Sequence, residues 1–201
     1  MAVKAKTIES RLAELEKIVS KITSKPIKEI QKKLEVGDTF TLADLECKIL
    51  DITENGYLCL SEKLPEDMKF DSSCNNWSNS SLRKYLNSEF LEKLEKEVGE
   101  ENIVSFERDL LSMDGQKEYG RCEDKVSLLN VDEYRKYREY IPNAGYWWWL
   151  ITADSTACND DSRWVRVVSP SGRFYDDGCN GSLGVRPFCI FSSDLFESED
   201  D

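Results

Sequence analysis

The side chains able to do chemistry fall into three groups: seven cysteines (47, 59, 74, 122, 158, 179 and 189), the polar run Asp154-Ser-Thr-Ala-Cys-Asn-Asp-Asp-Ser162, and a second run, Tyr175-Asp-Asp-Gly-Cys-Asn-Gly-Ser182. The cysteines are odd in number and lack a C-x-x-C pair, which argues for free thiols rather than a zinc ribbon or a fully paired disulfide framework. Histidine is absent, so imidazole catalysis, Ser-His-Asp triads and His-ligated metals are excluded. A thiolate nucleophile would lack its ordinary base, and Cys189 lies inside an apolar run. Gly178, Gly181 and Gly184 match no phosphate-cradling motif. Asn159-Asp160-Asp161, or Asp176-Asp177 with Asn180, could contribute oxygens to calcium, but solvated loop carboxylates are the simpler reading, and no metal or cofactor is assigned. Hydrogen-bonding recognition suits these short, polar side chains best.

The elements that must position them are legible in outline. Asp38–Leu42, Cys47–Ile52 and Gly56–Leu60 read as strands, with Asn55-Gly56 as a hairpin turn between the last two. Leu82, Tyr85, Leu86, Phe90, Leu91, Leu94 and Val98 share one helical face, predicting a helix over 80–98 with Asn79 or Ser80 as cap and Gly99 as stop. A second helix is predicted over 131–140, because Asn130 is followed three residues later by Glu133, a capping-box spacing, and Pro142 closes it. Trp164–Val168, the turn Ser169-Pro-Ser-Gly172, Arg173–Tyr175 and Gly184–Phe191 follow as further strands. Strands, two helices and more strands, in that order, indicate an α+β domain over 36–196. Trp147, Trp148 and Trp149 cannot all face one side of a strand, so at least one is expected in the core and one on a ligand face.

A separate segment precedes this domain. Ile8, Leu12, Leu15, Val19 and Ile22 are spaced as a heptad seam, and Pro26 divides the segment before Ile27, Ile30 and Leu34. Residues 1–35 therefore read as an N-terminal helix that joins copies of this chain through residues 8–34 or docks on its own domain. The formal net charge of −12 separates accordingly, +5 over residues 1–34 and −17 over the rest. So acidic a chain lacks the basic footprint for nucleic acid, and no run is apolar enough for membrane insertion. No signal peptide is visible, which predicts synthesis in the cytoplasm, with virion association or release by lysis as later routes. Residues 197–201 read as a frayed acidic tail.

The composition breaks late in the chain. Lysine and glutamate together number 39, yet none lies between Tyr140 and Phe196, where uniform scatter would place about eleven. Glutamine and methionine are missing there too. A buried, β-rich half explains this for Trp147–Leu150 and Val185–Phe191, but poorly for the two polar runs. Randomising adenines in Asn-type codons with a constant third C yields Asn, Asp, Ser, Gly, Tyr, Cys, Arg, Thr, Ala, Ile, Leu and Val, and never Lys, Glu, Gln, Met or Trp. The polar runs obey that exclusion; Trp164, at the start of a predicted strand, stands outside it.

Gly145-Tyr-Trp-Trp-Trp-Leu-Ile-Thr152, Val165-Arg-Val-Val-Ser-Pro-Ser-Gly172 and Gly184-Val-Arg-Pro-Phe188 resemble the framework of the variable proteins of diversity-generating retroelements, found in phages and gut bacteria. Asn76–Asn87 and Val126–Tyr140 resemble the uncharacterised domain family that accompanies this framework, so the resemblance spans residues 38–193. It implies a C-type lectin-like fold and a non-catalytic protein that displays a hypervariable face, within about 150–188, to an unknown protein or glycan ligand, for example in receptor recognition. By position, it implies Ile151, Asp154, Ser155, Thr156, Asn159, Asp160, Asp161, Arg163, Arg173, Tyr175, Asp176, Asp177, Cys179, Asn180 and Leu183 as the ligand-binding residues. The family usually has Arg after Trp-Trp-Leu, where this chain has Ile151. Two other functions stay open: an assembly protein acting through its N-terminal helix, and a cysteine oxidase of the formylglycine-generating type, whose fold is related, using Cys179 and Cys189.

Overall fold

Thirteen strands and three short α-helices carry the described residues, 34–196 of the computed structural model. The segment predicted over 8–34 falls outside them but for its last residue, as does the tail 197–201. The architecture is α+β, with antiparallel pairing throughout the named strands. β1 (Thr39–Leu42), β2 (Leu45–Thr53), β3 (Gly56–Ser61), β13 (Phe188–Phe191) and β5 (Ile103–Val104) pair in that order, and β8 (Val126–Ser127) also joins β13. β9 (Trp148–Ala153), β10 (Trp164–Val168) and β11 (Phe174–Gly178) form a second sheet with β10 central. β4 (Met68–Lys69) with β12 (Ser182–Leu183), and β6 (Phe106–Asp109) with β7 (Arg121–Asp124), make two short ribbons. No helix among the described residues is long and apolar enough to cross a membrane.

The first hairpins form where the sequence places them, with one shift. Thr53 pairs with Gly56, so the two-residue loop is Glu54-Asn55 and Gly56 opens β3. Glycine is required there because φ is +124° and a Cβ would stand 2.1 Å from the Phe191 carbonyl oxygen. The predicted helix over 80–98 is real but broken in the middle: α1 (Ser81–Tyr85) and α2 (Leu91–Val98) flank a π turn at Leu86–Phe90. Asn87 leaves helical geometry at φ −95°, ψ 19°. Its side chain donates to the Arg83 and Val126 carbonyls and accepts from the Lys125 and Val126 amides. The wider turn is thus tied to β8. Ser80 is the cap, accepting from the Arg83 amide at 3.1 Å.

The second helix, α3, begins on a complete capping box, with Asn130 Oδ1 accepting from the Glu133 amide and Glu133 Oε2 accepting from the Asn130 amide, both at 2.7 Å. It is α-helical over Val131–Lys136 only; Arg138–Tyr140 tighten into a 3-10 turn. The predicted strand over 184–191 is also shorter. Gly184 lies beside β9, where its carbonyl accepts from the Trp149 amide, while the Val185 and Pro187 carbonyls accept from Leu64 and Ser61. Residues 184–187 therefore carry the chain from the small sheet to the large one before β13 starts.

The core sits between the two sheets under α3. Trp148, Leu150 and Val168 from the small sheet meet Leu50, Leu60 and Phe188 from the large one, with Tyr134 of α3 and Tyr137 just beyond its end closing the cluster. On the other face of β9, Trp149 packs on Phe70, which also meets Trp77. Both indole nitrogens on this face have a partner: Trp149 Nε1 donates to the Met68 carbonyl and Trp77 Nε1 to Asp124, both at 2.8 Å.

Candidate functional site

The small sheet carries both polar runs, and its register decides where their side chains go. Val167 stands opposite Tyr175 on β11 and Trp149 on β9, so these three share a face; Val168, Phe174 and Trp148 share the other. Tyr175 and Trp147 lie at the uncovered margin of the Val167 face, 46% and 39% exposed, with ring centroids 5.2 Å apart in an edge-on pair. The tryptophan run divides here: Trp148 and Trp149 are core, as expected of at least one of them, and Trp147 is exposed. On the opposite face Arg166 stands across from Asp176. Its Nη1 reaches Asp154 at 2.7 Å and Asp176 at 3.5 Å. Trp164, two residues before it and 46% exposed, stands opposite Gly178, which offers no side chain to cover it.

Four of the candidate residues are buried. Ile151, Ser155, Thr156 and Cys179 are at most 5% exposed and present no side chain to a ligand. Ile151 lies on a strand buried on both faces. Ser155 Oγ donates to Asp114 at 2.7 Å, and Thr156 meets Cys158 Sγ at 3.0 Å. Cys179 is fixed by main-chain bonds, its amide donating to the Arg163 carbonyl and its carbonyl accepting from Asp71. Asn159, Asp160, Arg163, Arg173, Tyr175, Asp176 and Asn180 are exposed, and Asp154, Asp161, Asp177 and Leu183 are half-buried. They do not converge on one pocket. Arg173 lies at the turn end of the β10–β11 hairpin and Arg163 and Asn180 at the other, about 20 Å away at strand rise, and Tyr175 and Asp176 point to opposite faces. The second polar run is also strand rather than loop as far as Gly178.

The loop after β9 is held from outside by side chains aimed at its backbone. The fully buried Asn75 donates through Nδ2 to the Ser155 carbonyl at 3.0 Å and the Trp164 carbonyl at 2.9 Å, and Tyr119 donates to its Oδ1 at 2.6 Å. Glu118 accepts from the Cys158 amide at 2.7 Å; that bond, with help from Thr156, holds its carboxyl below the usual value. Asp114 is lowered by the hydroxyls of Ser112 and Ser155. Asp71 is pushed up by burial, but amides of Ser73, Ser81 and Cys74 outweigh this and leave its carboxyl lowered. These anchors, with Trp164 and Arg166, are what sequence reasoning missed. Arg166 was open to a period-two reading, since Val165 and Val167 point inward and leave 164 and 166 on the opposite side; the others carry no pattern.

The cysteines are shielded. Cys47 is pushed up to about 12, chiefly by burial, and burial also raises Cys179 and, far more, Cys59 and Cys189. Such thiols are poor nucleophiles. Among the described residues no group of three or more Cys, Asp or Glu side chains is arranged to hold a metal ion. A cleft of about 550 Å³ lies between Leu45, Leu64, Met68, Tyr85, Phe90 and Lys93, and one of about 200 Å³ between Leu111, Met113, Asn130, Arg135 and Thr152; neither is lined by the candidate residues. Comparison with curated proteins and with solved structures gives no match. Residues 54–138, less than half of the chain and ending before the small sheet begins, are similar to a family described only as a domain of unknown function, DUF6273.

Proposed function

We propose that this chain is a non-catalytic ligand-binding protein with a C-type lectin-like fold, and that its ligand meets the exposed rim of the small sheet: Trp147, Tyr175 and Asp177 on one face, with Asp154, Asn159, Asp160, Asp161, Arg163, Arg173, Asp176, Asn180 and Leu183 at its edges and ends. The observation that supports this reading is the division of labour in the 154–164 loop. Its backbone is held by Asn75 and Glu118, which lie outside the segment, so the side chains of Asp160 and Arg163, which take no part in the bonds described within the loop, are free to differ without altering it, whereas Asn159 and Asp161 also bond inside it. A spread-out surface without a deep pocket favours a macromolecular ligand, protein or glycan, over a small metabolite. Trp147 and Tyr175 supply rigid apolar anchoring, and Asp, Asn and Arg supply adaptable hydrogen bonds.

Burial of Cys179 and Cys189 with raised thiols weighs against a cysteine oxidase. The deciding experiment is sequencing of sister chains with their neighbouring DNA. Substitutions confined to the exposed positions, beside a reverse transcriptase gene and an imperfect repeat of codons 150–188, are expected. Changes spread evenly over residues 34–196 would sink the reading.

A further inference from the structure

The small sheet has two outer edges, and they differ. Along β9 the edge is occupied: the Trp149 amide donates to the Gly184 carbonyl, the Ile151 amide to Leu129, and the Ala153 carbonyl accepts from the Met113 amide. Along β11 it is open. The Ser169 amide donates to the Arg173 carbonyl and the Cys179 amide to the Arg163 carbonyl, so the hydrogen-bonded pairs of the β10–β11 ladder are the odd-numbered ones, 165 with 177 and 167 with 175. Phe174, Asp176 and Gly178 therefore turn their N–H and C=O groups away from β10. Gly178 has spent both, its amide donating to Asp177 Oδ1 and its carbonyl accepting from the Gly181 amide. Those of Phe174 and Asp176 meet no partner among the described residues. Edges of this kind are usually blunted by a proline, a lysine or a bulge. β11 has none of these: it reads Phe-Tyr-Asp-Asp-Gly, and its register with β10 is unbroken.

A row of alternating donors and acceptors is what a further strand pairs with, and the strand that fits is β11 of a second copy. In an antiparallel pairing centred on Tyr175, Phe174 of each copy exchanges both main-chain bonds with Asp176 of the other, and every open group is satisfied. Other centres waste them. Moving the centre to Asp176 sets Phe174 against Gly178, whose groups are spent, and Asp176 against its own charge. Moving it to Phe174 sets Asp176 against Gly172, whose amide donates to Ser169 and whose carbonyl accepts from the Tyr134 hydroxyl. The side chains choose the same register as the main chain. Arg173, Tyr175 and Asp177 alternate along one face of the strand, and about Tyr175 this row is its own complement, Arg173 standing opposite Asp177 of the second copy and Tyr175 opposite Tyr175. The Asp176 charge is answered within its own chain by Arg166 at 3.5 Å. We propose that β11 is a self-association edge, which joins the small sheets of two copies of this chain into one continuous sheet. The pairing uses main-chain groups and leaves side chains on the sheet faces. It does not rest on the recognition reading, because the edge is open whatever the face binds.

The main-chain signature is read by amide hydrogen exchange of the wild-type full chain at low and high concentration. Between about 10 µM and about 1 mM the Phe174 and Asp176 amides should slow about tenfold, while the Asn180 amide, beyond the edge, keeps its rate. A cross-linking test reads the register. Tyr175→Cys places a thiol opposite its own copy in a non-hydrogen-bonded pair, about 4.5 Å between Cα atoms and within disulfide reach. Arg173→Cys lies about 13 Å along the strand from its counterpart and serves as the control. Under mild oxidation Tyr175→Cys should form the covalent dimer at least about tenfold faster, and adding Arg173→Asp, which sets Asp against Asp177 in both symmetric pairs, should slow it again. Exchange at Phe174 and Asp176 that does not change with concentration would overturn the edge pairing, whether these amides are open throughout or covered throughout within one chain. Equal cross-linking of the two cysteines would overturn it too, since association elsewhere in the chain brings both thiols together by collision alone. Tyr175→Cys cross-linking that ignores Arg173→Asp would sink the register.

Discussion

Residues 34–139 and 140–196 solve the same problem of building a shared core with different side chains. The first stretch uses long charged groups to tie distant elements together. Arg108 on β6 clasps Glu133 of α3, Arg83 holds the fully enclosed Asp124 at 2.6 Å, and Lys125 bridges Glu95 and Glu100. The later stretch contains no Lys or Glu before residue 197, and the ion pairs described within it are those of Arg166 with Asp154 and Asp176. It contributes instead apolar strands and exposed short side chains, and its irregular backbone is fixed by groups from the first stretch. Long-range ion pairs are thus concentrated on one side of the division and exposed short side chains on the other.

The sharpest way to break that contrast is to damage a contact between the two regions. Trp149→Ala removes a fully buried ring that packs on Phe70 and bonds to the Met68 carbonyl. It should lower unfolding free energy by about 3–5 kcal/mol, read by denaturant titration. Next is Asn75→Ala, which takes the side-chain donor from the Ser155 carbonyl and leaves the Trp164 carbonyl with the Asp154 amide alone. A loss of about 2–4 kcal/mol is expected, with amide protection falling first in residues 155–164. If protection falls evenly across the domain instead, the loop is not held in the way described.

How much of this was legible beforehand follows from the range of each interaction. The capping box at Asn130 and Glu133, the Ser80 cap and the Gly99 stop are local, and their spacing announces them. The turn of the β2–β3 hairpin lies one residue earlier than its sequence indicates because Gly56 is demanded by a neighbour 135 positions away, the Phe191 carbonyl, and not by the turn itself. Ile151 could not be recognised as core from alternation, since every residue of β9 is buried and such a strand has no polar face to read. The helix break at Asn87 was hidden for a similar reason: the amides and carbonyl it bonds to around Lys125 and Val126 are tertiary neighbours. Asn75, Asp114 and Glu118 address partners about 40 to 90 residues distant, and polar side chains in loops show no period by which to find them.

A gentler probe of the same division is pH. Glu118 has a lowered carboxyl because it accepts bonds from the loop it holds, and Asp114 because it accepts first from Ser112 and then from Ser155 of that loop. A depressed folded-state pKa means that the bond's contribution is present above the unfolded value and is lost as pH falls through the folded one. The Cys158 amide resonance should therefore titrate with its midpoint below 4.5, the ordinary value for a glutamate. Glu118→Gln should abolish that inflection while leaving the Asn75 contacts intact. A midpoint at or above the ordinary value would mean that the Glu118–Cys158 bond contributes nothing to the loop.

The smallest effect is expected where most substitutions are made. Asp160→Asn, Arg163→Ser, Arg173→Ser and Asn180→Ser together alter four exposed side chains on both ends of the β10–β11 hairpin and on the loop before it. Asparagine is chosen at 160 because φ there is +55°, a conformation that Asn tolerates better than most residues. None of the four side chains is a donor or acceptor in the bonds that fix the loop: the Arg163 carbonyl receives the Cys179 amide whatever its side chain is, and the clamp on Ser155 and Trp164 belongs to Asn75. Isolated surface changes of this kind each fall within about 0.5 kcal/mol, so the quadruple variant should unfold within about 1 kcal/mol of the wild type, less than half the cost of Trp149→Ala alone. Its amide spectrum should shift only near the substituted positions. A loss of about 3 kcal/mol or more would place these side chains in the scaffold and remove the freedom to vary on which the proposed recognition surface depends.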